Sequence, residues 1–249
     1  MKRAFTLVEL ALVLAILALL AHLAVKSLGE AQSQRRERLL EVQKSEIADA
    51  ASAFLRDNGR LPRLLPSADG SGRLTLRELY ERPDDLGEYD VRLSGDQRRV
   101  AVACGWKGPY IRLAPGKSTL RDPWGNEWAS PDETGVDRLA SVTNMFPAAR
   151  LGTLAVSLSY VDEDGVESAA DTSANSSSPV NVRWYAPCGS TVTGGVKTVE
   201  RGFGGLIVFE DVPACTCAVT VDTLNFTGAV RRVDVSGGAG GALVEIKVR

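Results

Sequence analysis

The sequence predicts an α+β protein, in which a long N-terminal helix packs on a small antiparallel sheet and a second, all-β sandwich domain follows. Two observations predict the helix: an apolar run from Phe5 to Val25, and an amphipathic stretch that follows it without a proline. A third observation, the alternation of apolar and polar residues after Pro179, predicts the sandwich.

The composition limits the classes of function. A chain of 249 residues with 44% hydrophobic and 24% charged residues is typical of a folded protein with one large or two small domains. The formal net charge of −2 argues against nucleic-acid binding, since no basic excess neutralises phosphates. The single histidine, His22, lies in the apolar run, and Cys104 has no histidine to activate it. We therefore do not expect an enzyme.

The apolar run is long enough to cross a membrane. From Phe5 to Val25 it would form a helix of roughly 31 Å, about the thickness of the hydrocarbon core of a bilayer. The basic residues before it favour a cytoplasmic N-terminus, and no small-residue cleavage site of the ordinary secretory type precedes Lys26. Glu9 lies inside the run, where a buried carboxylate costs about 3 kcal/mol. A role for Glu9 has to explain that cost.

The segment after the apolar run predicts the amphipathic half of the same helix. Leu40, Ile47 and Phe54 recur at heptad spacing, and Gly29 is a point where the helix could bend. The flanking residues of the expected buried stripe are Leu39, Val42, Ala50, Ala51 and Leu55. Asn58-Gly59 is a helix stop signal, so one helix is expected from Phe5 to Arg56.

The N-terminal motif resembles that of a known family. A short basic leader, a small residue and then FTLVEL before an apolar helix is similar to the signal of type IV pilins and type II secretion pseudopilins. The resemblance implies that a prepilin peptidase cuts between Ala4 and Phe5 and methylates the new amine. It also implies that Glu9 pairs with the amine of Phe5 in a neighbouring subunit, so that the two buried charges neutralise each other. The family prefers glycine where this chain has Ala4, which puts the efficiency of processing in question.

The resemblance implies a function in assembly. The chain would be a structural subunit of a type II secretion or type IV pilus-like filament, single-pass in the inner membrane with its soluble part in the periplasm. Its partners would be other pilin or pseudopilin subunits, the prepilin peptidase and the inner-membrane assembly platform. The alternative is a membrane-tethered binding or adhesion protein, whose sandwich recognises a secreted substrate, a glycan or a partner; Glu9 would then lack a role.

Two further stretches resemble the core of the major pseudopilin. RDNGRLP (56–62) is similar to a motif that ends the family's long helix, and Gly108 to Trp128 is similar to its Gly-Pro-Tyr and Asp-Pro-Trp-Gly-Asn motifs. From the residues alone, Asp122 to Asn126 predicts a tight turn, with proline at its second position and glycine relieving strain. The expected domains are a leader (1–4), a transmembrane half-helix (5–28), a globular pseudopilin domain (29–172), a linker (173–179) and the sandwich (180–249).

An acidic stretch suggests calcium. In the loop that starts at Tyr160, Asp162, Asp164, Ser168 and Asp171 stand at positions three, five, nine and twelve, the spacing of a calcium loop. Tyrosine at position one and the short aspartate at position twelve depart from an EF-hand. The major pseudopilins hold calcium in a comparable loop, which by resemblance assigns Asp164 and Asp171 as ligands. An acidic surface loop without metal is the alternative.

The C-terminal region contains alternating strands and three of the four cysteines. Val180, Val182 and Trp184 are expected on one face of a strand, and Leu206 to Val221 resembles prealbumin-like repeats of bacterial surface proteins. In an oxidising compartment Cys188 could bond to Cys215 or to Cys217, whereas a bond between the latter two is not expected. Zinc is the rival use of these sulfurs, but it lacks histidine ligands.

Overall fold

The structure, a computed structural model, describes residues 7–93, 100–131, 137–146, 151–161, 167–168, 179–189, 191–200, 205–223, 226–227, 230–235 and 241–248. The protein is α+β, as the sequence predicts. It divides into two compact units, one made of Met1–Ser45 and Arg121–Glu127, the other of Glu46–Leu120 and Trp128–Arg249.

The helices are α1 (Leu7–Asn58), a 3-10 turn (Arg77–Leu79) and the short α2 (Ala140–Thr143). The strands before the sandwich are β1 (Leu65–Pro66), β2 (Leu74–Thr75), β3 (Asp90–Leu93) and β4 (Ala101–Cys104). The remaining strands are β5 (Leu151–Val161), β6 (Glu167–Ser168), β7 (Pro179–Cys188), β8 (Thr191–Glu200), β9 (Leu206–Pro213), β10 (Thr216–Thr223), β11 (Phe226–Thr227), β12 (Arg231–Asp234) and β13 (Ala242–Val248).

Helix α1 is continuous across Gly29 and ends at Asn58, two residues beyond the predicted Arg56 and at the predicted Asn58-Gly59 stop signal. Gly59 follows its last residue with φ +68°, and the N–H of Gly59 donates to the carbonyl of Leu55 at 2.7 Å. This is the left-handed glycine cap of a helix C-terminus, which glycine adopts without a steric cost. The Asn58 side chain adds a hydrogen bond from Nδ2 to the carbonyl of Phe54 at 3.0 Å.

The amphipathic prediction for α1 is confirmed near its C-terminal end and wrong further back. Ile47 and Phe54 are at most 1% exposed, as a buried stripe requires. Leu39 and Val42, expected to back that stripe, are 47% and 54% exposed. The apolar pattern is thus used inside the fold only over the last three turns of the helix.

The predicted turn at Asp122 to Asn126 is confirmed in the first unit. The Asp122 carboxylate accepts from the N–H groups of Trp124 at 3.0 Å and Asn126 at 2.7 Å, and Gly125 has φ +88°. The Nε2 of Gln43 donates to the carbonyl of Arg121 at 3.3 Å. The aspartate therefore shapes the turn through its own side chain.

The C-terminal end of α1 is held from two sides in the second unit. Gly105 donates its N–H to the carbonyl of Asp57 at 3.0 Å, and Gly189 donates to that of Asn58 at 2.8 Å. Gly59 lies so close to the carbonyl of Pro187 that a Cβ atom at position 59 would stand 1.8 Å from its oxygen. The last turn of the helix is thus packed directly against the turn between β7 and β8.

A buried ion cluster stabilises the segment after the helix. The Glu78 side chain is fully buried, and its carboxylate accepts from Arg60 Nη1 at 2.6 Å and from Arg63 Nε at 3.0 Å. Arg63 also pairs with Asp85 at 2.6 Å. Because several hydrogen bonds satisfy the buried carboxylate, the cluster has a structural role.

Two sheets pack face to face in a sandwich-like arrangement. One has the strand order β11-β10-β7-β8 with β12 beside β10, and the other has β13-β5-β6 with β9 beside β5. Both contribute to one apolar core, which includes Leu154, Val156, Val180, Val182, Phe209, Val219, Val221 and Ile246. The alternation predicted for β7 is confirmed, since Val180, Val182 and Trp184 are all buried.

The sandwich contains a strand that the sequence assigned to the preceding domain. Strand β5 pairs in parallel with β13 from Leu154↔Ala242 to Tyr160↔Val248, and antiparallel with β9. Its residues 151–161 fall within the range expected for the pseudopilin domain, before the linker at 173–179. Of that linker only Pro179 is described, as the first residue of β7. The sheet therefore extends across the boundary that composition alone suggested.

Candidate assembly surface

Among the described residues, an extended apolar surface lies near the start of α1. Every residue from 10 to 20 is exposed, and we call this stretch the apolar segment. Its large side chains are between 47% and 63% exposed: Leu10, Leu12, Val13, Leu14, Ile16, Leu17, Leu19 and Leu20. Burying one leucine-sized side chain away from water is favourable by about 2 kcal/mol of free energy. A surface of this kind marks a site of interaction with protein or membrane.

The apolar segment is apolar around the whole helix. Its residues are consecutive over about three turns, and each of them is alanine or a large aliphatic residue. A helix that packs on one partner needs a single apolar stripe, whereas a helix that is apolar on all sides is covered all round. The apolar segment therefore needs lipid, several neighbouring protein chains, or both to shield it from water.

A narrower apolar face continues beyond this segment. Leu28 is 63% exposed and lies about five turns after Leu10, and Leu39 lies about three turns further. Val42 is one turn beyond Leu39, so these residues share one face of the helix with Leu10. Sequence reasoning assigned Leu39 and Val42 to the inner stripe, whereas the structure exposes them on the face that also carries Leu28.

Part of the predicted processing site lies outside the described residues. Ala4 and Phe5 are not described, and of Glu9 only the backbone is described, within α1. The structure places Glu9 immediately before the apolar segment. The part of the chain that the structure describes contains no helix that is long and apolar enough to cross a membrane.

The predicted calcium loop is largely undescribed. Asp162, Asp164 and Asp171 are not described, and Ser168 pairs with Tyr160 in the ladder between β5 and β6. Positions one and nine of the inferred loop are therefore strand partners in the backbone ladder. Carboxylates suit calcium, and those of the inferred loop lie outside the described residues. Among the described residues no acidic, cysteine and histidine side chains cluster as metal ligands.

The possible bond from Cys188 to Cys215 or Cys217 stays a prediction, and the structure shows where the three thiols lie. All four cysteines are free; Cys188 is exposed, while Cys215 and Cys217 are buried in the core. The two buried sulfurs lie 3.9 Å apart, in hydrogen-bond contact. That contact and burial raise the pKa of the Cys215 thiol. The pair that sequence reasoning set aside is the one that the fold brings together.

A small cleft lies beside the end of α1 in the second unit. It has a volume of about 70 Å³, and its lining includes Arg56, Asp57, Tyr89 and Arg232. Burial raises the pKa of Asp57, whose carboxylate accepts from the hydroxyl of Tyr110 at 3.1 Å. The cleft thus brings two arginine side chains together with the carboxylate of Asp57, which interacts electrostatically with Arg56.

Comparison of the chain with protein-family models, with curated proteins and with solved structures gave no match.

Proposed function

We propose that this chain is a structural subunit of a type II secretion or type IV pilus-like filament and that it assembles through the N-terminal part of α1. The observation that supports this most strongly is the apolar segment, exposed on every face of a continuous helix and directly preceded by Glu9. Such a helix needs lipid before assembly and apolar neighbours afterwards. Transfer from lipid to a bundle of similar apolar helices satisfies both needs.

The position of Glu9 fits the same proposal. A carboxylate next to an apolar helix is costly in lipid unless a positive charge neutralises it. A processed N-terminal amine of a neighbouring chain supplies that charge, and it does so only when the two helices are axially staggered in the correct register. In this proposal Glu9 sets the register, while the apolar segment supplies the stabilisation.

The proposal includes processing and location. The leader of residues 1–4 is removed by a prepilin peptidase, the helix starts in the inner membrane, and the sandwich is displayed on the periplasmic side. The test is fractionation of cells that contain the secretion or pilus machinery. The chain is expected in sheared filaments together with other subunits; recovery only from membranes, as a monomer, would contradict the proposal.

We expect cleavage between Ala4 and Phe5 in cells that express a prepilin peptidase. N-terminal sequencing of the purified chain should begin at methylated Phe5. An Ala4→Gly variant should be processed at least as completely, because glycine is the smaller side chain, and an Ala4→Glu variant should stay uncut. A wild-type chain that still begins with Met1 in such cells would refute this expectation.

We also expect that calcium stabilises the chain through the acidic residues after β5. A ligand that binds only the folded state stabilises it by about 2.7 kcal/mol at a hundredfold excess over Kd. The melting temperature of the full chain in detergent should therefore be higher in millimolar calcium than in chelator. Asp164→Ala should remove the difference, and Asp84→Ala, at an exposed carboxylate outside this stretch, should keep it. Identical melting curves of the wild type in calcium and in chelator would mean that no calcium is bound.

A membrane-tethered binding role is the second candidate, and the cleft with Arg56 and Arg232 is the observation that favours it. Two arginine side chains that line one cleft suit a carboxylate ligand. Titration with acetate, followed by NMR, should then show saturable shifts that Arg232→Gln weakens. Saturable binding together with absence from filaments would favour this role over assembly.

A further inference from the structure

The bend between β9 and β10 places two thiols side by side in the core. Cys215 precedes the first residue of β10, and Cys217 is the second residue of that strand. In a flat strand, residues two apart are separated by about 6.6 Å along the chain. Their sulfurs lie only 3.9 Å apart, so the two side chains converge.

Backbone hydrogen bonds fix this convergence. The N–H of Cys215 donates to the carbonyl of Pro213 at 2.9 Å, which closes a tight bend just before the strand. The carbonyl of Cys215 accepts from the N–H of Val235 at 3.0 Å. Because both polar groups of its backbone are engaged, the backbone of Cys215 is held in the bend.

The third cysteine of this region is oriented differently. Cys188 ends β7 and is exposed, whereas Cys215 is 2% and Cys217 1% exposed. The carbonyl of Cys188 accepts from the Thr191 hydroxyl at 3.0 Å in the turn to β8. A bond from Cys188 to the core pair would need its side chain to turn from solvent into the core.

We propose that Cys215 and Cys217 are a redox-active pair that closes a disulfide within the chain, while Cys188 stays a free thiol. An ordinary disulfide has an S–S distance of about 2 Å, so the sulfurs have to approach by roughly 2 Å, which side-chain rotation can supply. The ring formed across one residue is small and strained, and strained disulfides are easily reduced. A reductant that reaches the pair therefore reopens the bond.

The oxidant is a small or protein-borne disulfide. One cysteine of the pair attacks a sulfur of the donor as thiolate, which forms a mixed disulfide and releases one donor thiol. The second cysteine then displaces the other donor thiol and closes the ring. Two thiols of the chain lose two electrons and two protons, and one donor disulfide becomes two thiols. Since both thiols are buried in the folded core, the exchange takes place while the chain folds.

Peptide mapping distinguishes a disulfide between Cys215 and Cys217 from a bond to Cys188, because trypsin sites separate Cys188 from the other two. Cleavage after Arg201 and Arg231 leaves both Cys215 and Cys217 in one peptide, and cleavage after Arg183 and Lys197 isolates Cys188. The full chain is refolded from denaturant in a glutathione and glutathione disulfide buffer, alkylated under denaturing conditions and digested. Starting from the unfolded chain exposes every thiol to the oxidant.

After oxidation, we expect the 202–231 peptide to be mostly unalkylated. Its mass should be about 2 Da below that of the reduced peptide, because disulfide formation removes two hydrogens. The peptide that contains Cys188 should be fully alkylated, and reductant should make both sulfurs of the pair alkylatable. In a Cys215→Ser variant Cys217 should be alkylated as a free thiol. A cross-link between peptides 184–197 and 202–231, or complete alkylation of 202–231 after oxidation, would overturn the proposal. The result does not depend on whether the chain assembles into filaments.

Discussion

A Glu9→Ala chain is expected to insert in the membrane and to fold, but not to assemble or to assemble out of register. Removing the carboxylate from lipid favours insertion by about 3 kcal/mol. It also removes the partner of the N-terminal amine of Phe5, which would then be buried as an unpaired charge. The yield of sheared filaments should fall close to zero, while membrane fractions and the melting temperature stay as in the wild type.

Glu30→Ala is the matched control. Glu30 lies in the same helix and is exposed, but it stands after the apolar run. Its replacement should leave the filament yield unchanged. If Glu9→Ala forms filaments of normal yield and register, Glu9 has no role in subunit pairing.

The second large effect concerns the folding of the second unit. Gly59→Ala is expected to lower the free energy of unfolding of the second unit by about 3 kcal/mol or more, at the upper end of single substitutions. A left-handed backbone costs a residue with a Cβ atom about 1–2 kcal/mol. The rest of the cost comes from the new Cβ, which would stand 1.8 Å from the carbonyl oxygen of Pro187 and force the helix end and the β7–β8 turn apart.

Gly70→Ala separates the two contributions. Gly70 has a similar backbone, with φ +75°, but a Cβ atom there would meet no atom within 4 Å. Its replacement should show only the backbone cost, about 1–2 kcal/mol. Denaturant unfolding measures both variants. Equal losses at positions 59 and 70 would mean that the contact with Pro187 adds nothing.

Features set by neighbouring residues could be read from the sequence. Asn58-Gly59 stops the helix because the cap needs a left-handed residue, and Asp122 shapes its own turn through hydrogen bonds to residues two and four positions later. The alternation in β7 predicts its buried face for the same reason. In each case the decisive interaction lies within a few residues of the signal.

Features that depend on contacts between residues far apart in the sequence could not be predicted from local patterns. Nothing local in β5 indicates that its partner is β13, nearly at the end of the chain, because a strand pattern specifies a face and not a neighbour. Leu39 and Val42 have the same spacing whether their side of the helix faces inward or outward. The approach of Cys215 to Cys217 depends on a bend whose hydrogen bonds reach Pro213 and Val235.

The proposed assembly through the apolar segment is tested most directly by cross-linking single cysteines along it. The background is a Cys188→Ser chain, in which the remaining native cysteines are buried. Cysteine at Leu10, Leu14 or Leu17, treated with a short thiol cross-linker in cells that contain the machinery, should trap ladders of dimers and higher multimers. Cysteine at the exposed Asp84, in the second unit, is the control for random collision. Ladders from the three helix positions that exceed the control are the predicted result; monomers alone at all three, from a chain that is inserted and folded, would contradict assembly through this helix.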